Sequence, residues 1–137
     1  MISNPDTIPE NDTIQIRIRE FNDSEFARLL GIVIEEARDG YARVTMDCTG
    51  KANPSGVVHG GAIASLADQA FGIAENCAGI HRVAVSIHIQ YLVPGTGQLV
   101  AIAERVSDNG ACDTCRVLVY DGDRIIAEFA GVAFRVN

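Results

Sequence analysis

Gly60-Gly61-Ala62-Ile63-Ala64-Ser65-Leu66-Ala67-Asp68-Gln69-Ala70-Phe71-Gly72-Ile73-Ala74-Glu75-Asn76-Cys77 is the stretch that decides the fold. Its apolar residues Ile63, Leu66, Ala67, Ala70, Phe71, Ala74 and Cys77 recur at three and four, which predicts one long helix from residue 60 to about 78 with an apolar face. On either side the period changes. In residues 83–93, Val83, Val85, Ile87, Ile89, Tyr91 and Val93 alternate with Ala84, Ser86, His88, Gln90 and Leu92, so a long strand with one strongly apolar face is expected, ended by Pro94-Gly95. Segments 32–37 and 41–48 flank Asp39-Gly40, segments 99–106 and 112–120 flank a loop ending in Asn109-Gly110, and 124–136 follows Asp121-Gly122. Asx-Gly pairs supply the positive φ angles of hairpin turns. A single apolar helix with strands before and after it must be covered by the sheet they form. The predicted class is α+β, an antiparallel sheet wrapped around one long central helix.

Outward from this core, Asn22-Asp23-Ser24 precedes a short helix at 25–30 that Gly31 stops. Ile14, Ile16 and Ile18 alternate with Gln15 and Arg17 as in an edge strand, and Pro5 and Pro9 give residues 1–13 the composition of a tail. The expected organisation is a tail or edge segment at 1–23 and a single domain at 24–137. With 137 residues, 47% hydrophobic and carrying a net charge of −7, the chain has the size and composition of one globular domain. An acidic balance without a basic cluster excludes nucleic acid and anionic membrane surfaces as partners, since both need Lys or Arg to displace counterions. The least charged run, 60–71, falls short of the roughly 20 apolar residues of a membrane span and lacks the basic flank of a signal peptide. A cytoplasmic protein with reduced thiols at Cys48, Cys77, Cys112 and Cys115 is therefore expected. Cys112 and Cys115 form a lone C-x-x-C, read as two strand thiols, and His59, His81 and His88 have no metal-ligand spacing. Neither a metal nor a cofactor is called for.

Chemistry concentrates between Asn53 and Asp68. The Gly60-Gly61 pair at a helix start leaves backbone N–H groups bare of side chains at the positive end of the helix dipole, where a phosphate or a developing oxyanion is stabilised. Asp68 is the only charged residue between His59 and Glu75, and a carboxylate among Ala, Leu and Phe is costly unless it has a partner or a task. Helical spacing sets Gly61, Ser65, Asp68 and Gly72 on one side, a face of small residues that another surface could approach closely. Distance sharpens the inference. Gly60 and Asp68 lie roughly 12 Å apart along a helix, whereas an oxyanion donor and a base serving one carbonyl must each be about 3 Å from it. One chain cannot complete such a site. If the two cooperate, Asp68 comes from a second subunit whose helix runs antiparallel, with two sites at a two-fold interface.

The pattern Asn53…Gly56-x-x-His59-Gly60-Gly61…Asp68, followed by the long helix and a strand ending Tyr91-Leu92-x-Pro94, resembles the hotdog-fold acyl-CoA thioesterases of the phenylacetate-degradation (PaaI) group over residues 30–134. The resemblance implies that Asp68 attacks the thioester carbonyl or activates a water, that the Gly60 N–H stabilises the oxyanion, and that Gly61 beside it binds substrate. It implies too that Asn53 and His59 position substrate or water from the subunit opposite Asp68, and that Ser86 assists from the strand after the helix. The implied substrate is acyl-CoA and the implied assembly a homodimer pairing into a homotetramer. A thioester is already activated, so a carboxylate and one N–H dipole suffice without a cofactor. Val93 stands where relatives often carry a basic residue, leaving Lys51, Arg82, Arg105 and Arg116 as the cations available to coenzyme A, each otherwise a solvated surface group. Two alternatives are a hotdog enoyl-thioester hydratase or dehydratase, whose H-F-P-G or D-x-x-x-x-H contexts are absent here, and a non-catalytic acyl-CoA-binding protein. Consumption of acyl-CoA separates the readings.

Overall fold

The computed structural model describes residues 8–136. The long apolar period becomes α3, Gly60–Asn76, with Cys77 at its C-cap. Short α2, Glu25–Leu30, ends on Gly31, whose φ of 66° closes it in the left-handed conformation. Six strands follow the expected order: β1 Ile32–Arg38, β2 Tyr41–Met46, β3 Arg82–Tyr91, β4 Leu99–Asp108, β5 Cys112–Asp121 and β6 Arg124–Arg135. They form one antiparallel sheet in the order β1-β2-β4-β5-β6-β3. Gly40, Gly110 and Gly122 turn the three hairpins at φ 78°, 91° and 65°, which explains the Asx-Gly pairs.

The sheet curls over α3. Leu66, Ala67, Ala70, Phe71, Ile73 and Ala74 are fully or almost fully buried against Val44, Leu99, Ala101, Val117, Val119 and Phe129. Small residues on the strands let the helix sit deep. A Cβ on Gly131 would stand 2.8 Å from the Phe71 ring, which itself tilts against Phe129 at 5.7 Å between centroids.

The edge strand expected around Ile14–Ile18 is instead helical, α1, Glu10–Asn22. The alternation of Ile14, Ile16 and Ile18 hid a spacing of four and three. Ile14 is buried, Ile18 and Phe21 pack on the core, and Ile16 faces outward. The consequence reaches the sheet, because Asn22 at the end of α1 accepts from the N–H of Ile34 at 2.7 Å and donates to its carbonyl at 3.3 Å. The outer edge of β1 is thereby partly closed.

The other edge strand, β3, is uncovered. The apolar residues expected on it are present, but Val83, Val85 and Ile87 are 41, 54 and 50% exposed in the single chain.

The C-terminal end of α3 is fastened by charge. Glu75 and Arg82 are buried, and Arg82 donates to the Glu75 carbonyl at 2.7 Å and pairs with the buried Asp113. Arg105 bonds the Glu75 carboxylate at 3.2 and 3.3 Å and Asp39 at 3.0 Å. Two of the four cations expected to be solvated are thus consumed inside the fold. Sequence alone could not reveal this, because the partners come from β1–β2, β4 and β5.

Candidate active site

The loop before α3 is built by its own polar groups. The Asn53 side-chain oxygen accepts from the N–H groups of Ser55 at 2.9 Å and Val57 at 3.3 Å, and its backbone N–H donates to Val57 at 2.7 Å. The loop folds back on itself through a bridge between Ala52 and Val58, and the His59 N–H donates to the Lys51 carbonyl at 2.7 Å. Asn53 therefore shapes the turn that delivers His59 to the helix start.

His59 is the N-cap of α3. Its Nδ1 accepts from the Gly61 N–H at 2.8 Å, a task usually given to Ser, Thr or Asp. A peptide N–H only donates, so Nδ1 carries no proton and the neutral ring keeps its N–H at Nε2. The Ala62 N–H is taken by the His59 carbonyl at 3.0 Å. Among the described residues only the Gly60 N–H of this first turn has no partner. Of the two bare N–H groups expected at the glycine pair, one is spent on the cap and one stays open at the positive end of the helix.

Two rings explain why both positions are glycine. A Cβ on Gly61 would lie 3.1 Å from His59 Nδ1, and one on Gly60 would lie 3.1 Å from Tyr91 Cζ. Tyr91, at the end of β3, also donates its hydroxyl to the Gly60 carbonyl at 2.8 Å. In the sequence Tyr91 marks only the end of a strand, since nothing local announces a contact 31 positions away.

The turn separates two hollows. One, about 410 Å³, is walled by Phe26, Leu30, Ala52 and Ala62, with Lys51, His59 and Ser65 as its polar groups. The other, about 300 Å³, is lined by Asn53, Gly60, Ile63, Tyr91, Leu92 and Pro94. Lys51 Nζ rests on the carbonyls of Asp47 at 2.6 Å and Thr49 at 3.3 Å. Arg116 pairs with Glu128 on the exposed sheet face.

Asp68 lies in neither hollow. It is exposed on α3 and its carboxylate has no hydrogen-bond or ion-pair partner among the described residues. Loss of surrounding water pushes its carboxyl above the usual aspartate range. Because α3 is unbroken from Gly60 to Asn76, eight residues separate it from Gly60, roughly 12 Å along the axis. Ser86 is exposed on β3, five residues before Tyr91, or roughly 16 Å along the strand. α3 and β3 run in opposite directions, with Gly60 against Tyr91 at one end and Glu75 against Arg82 at the other. Ser86 is thus level with the middle of the helix, away from the His59 turn of its own chain. Cys112 and Cys115 are split by the strand pleat, Cys115 inward with Asp113 and Cys112 on the other face.

One long helix wrapped in a curled six-stranded antiparallel sheet is the architecture of a hotdog fold. Comparison with known proteins agrees. The model of the thioesterase superfamily matches residues 55–126. A putative esterase of Archaeoglobus fulgidus is 34% identical over 128 residues, 88% of this chain and 82% of that protein. The acyl-coenzyme A thioesterase PaaI of Escherichia coli is 34% identical over 119 residues, 81% of this chain and 82% of that protein. The solved structure of the E. coli PaaI protein from the phenylacetic acid degradation operon superposes with a TM-score of 0.87 at 29% identity, covering 93% of this chain and 96% of that one. This chain belongs to the thioesterase superfamily and, within it, to the PaaI-like hotdog thioesterases.

Proposed function

We propose that this protein hydrolyses acyl-CoA to a free carboxylic acid and coenzyme A, at sites shared between two subunits. One observation carries the reading. The open Gly60 N–H and the unpartnered Asp68 carboxylate belong to one rigid helix but stand too far apart to serve one carbonyl. In a two-fold dimer with antiparallel helices, Asp68 of one subunit meets the Gly60 turn of the other.

The uncovered β3 edge supports this assembly. Its apolar side chains and unpaired backbone groups suit pairing with the same strand of a second copy, whereas Asn22 blunts the opposite edge.

In the reaction the thioester carbonyl receives the Gly60 N–H while Asp68 acts on its carbon as nucleophile or through a water. Where Asp68 acts through a water, the water gives its proton to the carboxylate and its oxygen to the carbonyl carbon, the C–S bond breaks, and the departing thiolate takes that proton to leave as coenzyme A. Where Asp68 attacks, the thiolate leaves first, and water then hydrolyses the acyl-Asp68 anhydride, giving the free acid, the regenerated carboxylate and the proton that the thiolate takes up. His59 presents its Nε2 donor beside the reacting group, Asn53 holds the loop that aims it, and Ser86 assists from β3. Gly61, whose N–H is spent on the cap, contributes its lack of a side chain.

The test is a panel of aromatic and aliphatic acyl-CoAs assayed for thiol release. The expected result is turnover that Asp68→Asn lowers by about a hundredfold or more, the range of acid–base catalysis. Binding without release in the parent, or full turnover in the variant, overturns it.

A further inference from the structure

We infer that Tyr91 is a positioning residue that acts on His59 through a single peptide unit, an inference that rests on the thioesterase reading above. The Tyr91 hydroxyl donates to the Gly60 carbonyl at 2.8 Å, and the N–H of that same peptide, on Gly61, donates to His59 Nδ1 at 2.8 Å. Phenol, peptide and imidazole form one chain of hydrogen bonds. Accepting a bond at the carbonyl polarises the peptide and strengthens its N–H as a donor, so the first bond reinforces the second.

The chain has a defined output. His59 Nδ1 is held as an acceptor, the ring proton is kept at Nε2, and the plane of the ring is fixed against the Gly61 backbone. The Nε2 donor belongs to a ring that lines the hollow shared with Lys51 and Ser65. A donor oriented in advance stabilises developing charge without reorganising during the reaction.

Tyr91 works from the other side of the turn. It lines the second hollow with Asn53 and Ile63, and His59 does not. The glycine pair permits this arrangement, because a Cβ at either position would stand 3.1 Å from one of the two rings. Gly60 and Gly61 thus have a second role beside baring N–H groups: they let two aromatic side chains close on one peptide.

Tyr91→Phe removes the hydroxyl and keeps the ring. Long-range ¹H–¹⁵N spectra of the imidazoles, with His59 assigned by its absence in His59→Asn, should show a single Nε2–H tautomer in the parent protein and a mixture of tautomers in Tyr91→Phe. The variant's kcat should fall about fivefold to tenfold, the worth of one neutral hydrogen bond, with KM within about twofold. An unchanged His59 spectrum, or an unchanged kcat in an enzyme whose parent turns over, overturns the inference. If the parent hydrolyses no thioester, the functional reading fails separately, and the tautomer spectrum alone decides whether the chain operates.

Discussion

Asp68 and Glu75 stand seven residues apart on α3, and their surroundings are opposite. Glu75 is 1% exposed and bonded to Arg105, while Asp68 is exposed and has no partner among the described residues. A carboxylate that the fold does not use should be removable without loss of stability. Asp68→Asn should therefore unfold thermally at the same temperature as the parent or slightly above it. Glu75→Ala should lose about 3 kcal/mol, because it empties a fully buried site and removes the carboxyl that Arg105 hydrogen-bonds and Arg82 pairs with there. Equilibrium denaturation of the two variants measures the contrast. A destabilised Asp68→Asn would mean that its carboxylate is structural.

The same Glu75 makes stability depend on pH. Burial first, and then a hydrogen bond that its protonated carboxyl donates to the Asp113 carboxylate, push its pKa up to about 7, against the opposing pull of Arg105. The folded state therefore holds a proton that the unfolded state, with a carboxyl near 4.5, has released. The folded state binds more protons between these values, so this group's contribution falls as pH rises through the window from 4.5 to about 7. Glu75→Gln cannot ionise. The stability of the parent relative to Glu75→Gln should decline across that window and be flat outside it, as melting curves at a series of pH values will show. A rise with pH would reverse the sign and exclude a protonated Glu75.

These two carboxylates also mark what was legible in the sequence. The helix, its apolar face and the Asx-Gly turns were readable because each depends on neighbours within a few positions. Asp68 stood out because it broke a local pattern. Glu75 did not, since its partners Arg82, Arg105 and Asp113 are brought in by three strands. At α1 the sequence misleads, because Ile16 completes an alternation that the fold ignores, burying Ile14 and packing Ile18 and Phe21 instead. The glycine pair signals bare N–H groups, which holds for Gly60. The two rings that close on it come from the cap itself and from the far end of β3, and the second lies beyond any local window.

Gly61→Ala tests the cap. At an unconstrained helix position, alanine in place of glycine stabilises by about 1 kcal/mol. Here the new methyl would meet His59 Nδ1 at 3.1 Å and Cε1 at 3.2 Å, so the ring must swing away and the cap bond breaks. The expected outcome is no gain in stability, the cap's loss of about 1 kcal/mol cancelling the propensity, together with a lower kcat. Full activity with a raised melting temperature would show that the ring has room to move.

The exposed edge of β3 gives a prediction about assembly. Val85 and Ile87 are about half exposed in the single chain, and lysine at both positions sets like charges against each other wherever two copies of the strand pair. Val85→Lys/Ile87→Lys should sediment as a folded monomer without thioesterase activity. A variant that stays dimeric would place the interface elsewhere, and an active monomer would break the shared-site reading.

The sharing of sites has a more direct consequence. If Asp68 of one chain serves the His59-Gly60 turn of the other, Asp68→Asn and His59→Ala damage opposite halves of each site. A mixed dimer of the two variants has one site assembled from both intact halves and one assembled from both damaged halves. Random assembly makes half of the dimers mixed, so co-expression of the two chains should restore about a quarter of the parent's sites from two nearly inactive proteins. Separately tagged subunits, purified through both tags and assayed for thiol release, should show about half the parent activity per dimer. A site contained within one chain gives a different result. The Asp68→Asn chain and the His59→Ala chain would each carry its defect into every dimer, and the mixed species would be as inactive as its parents.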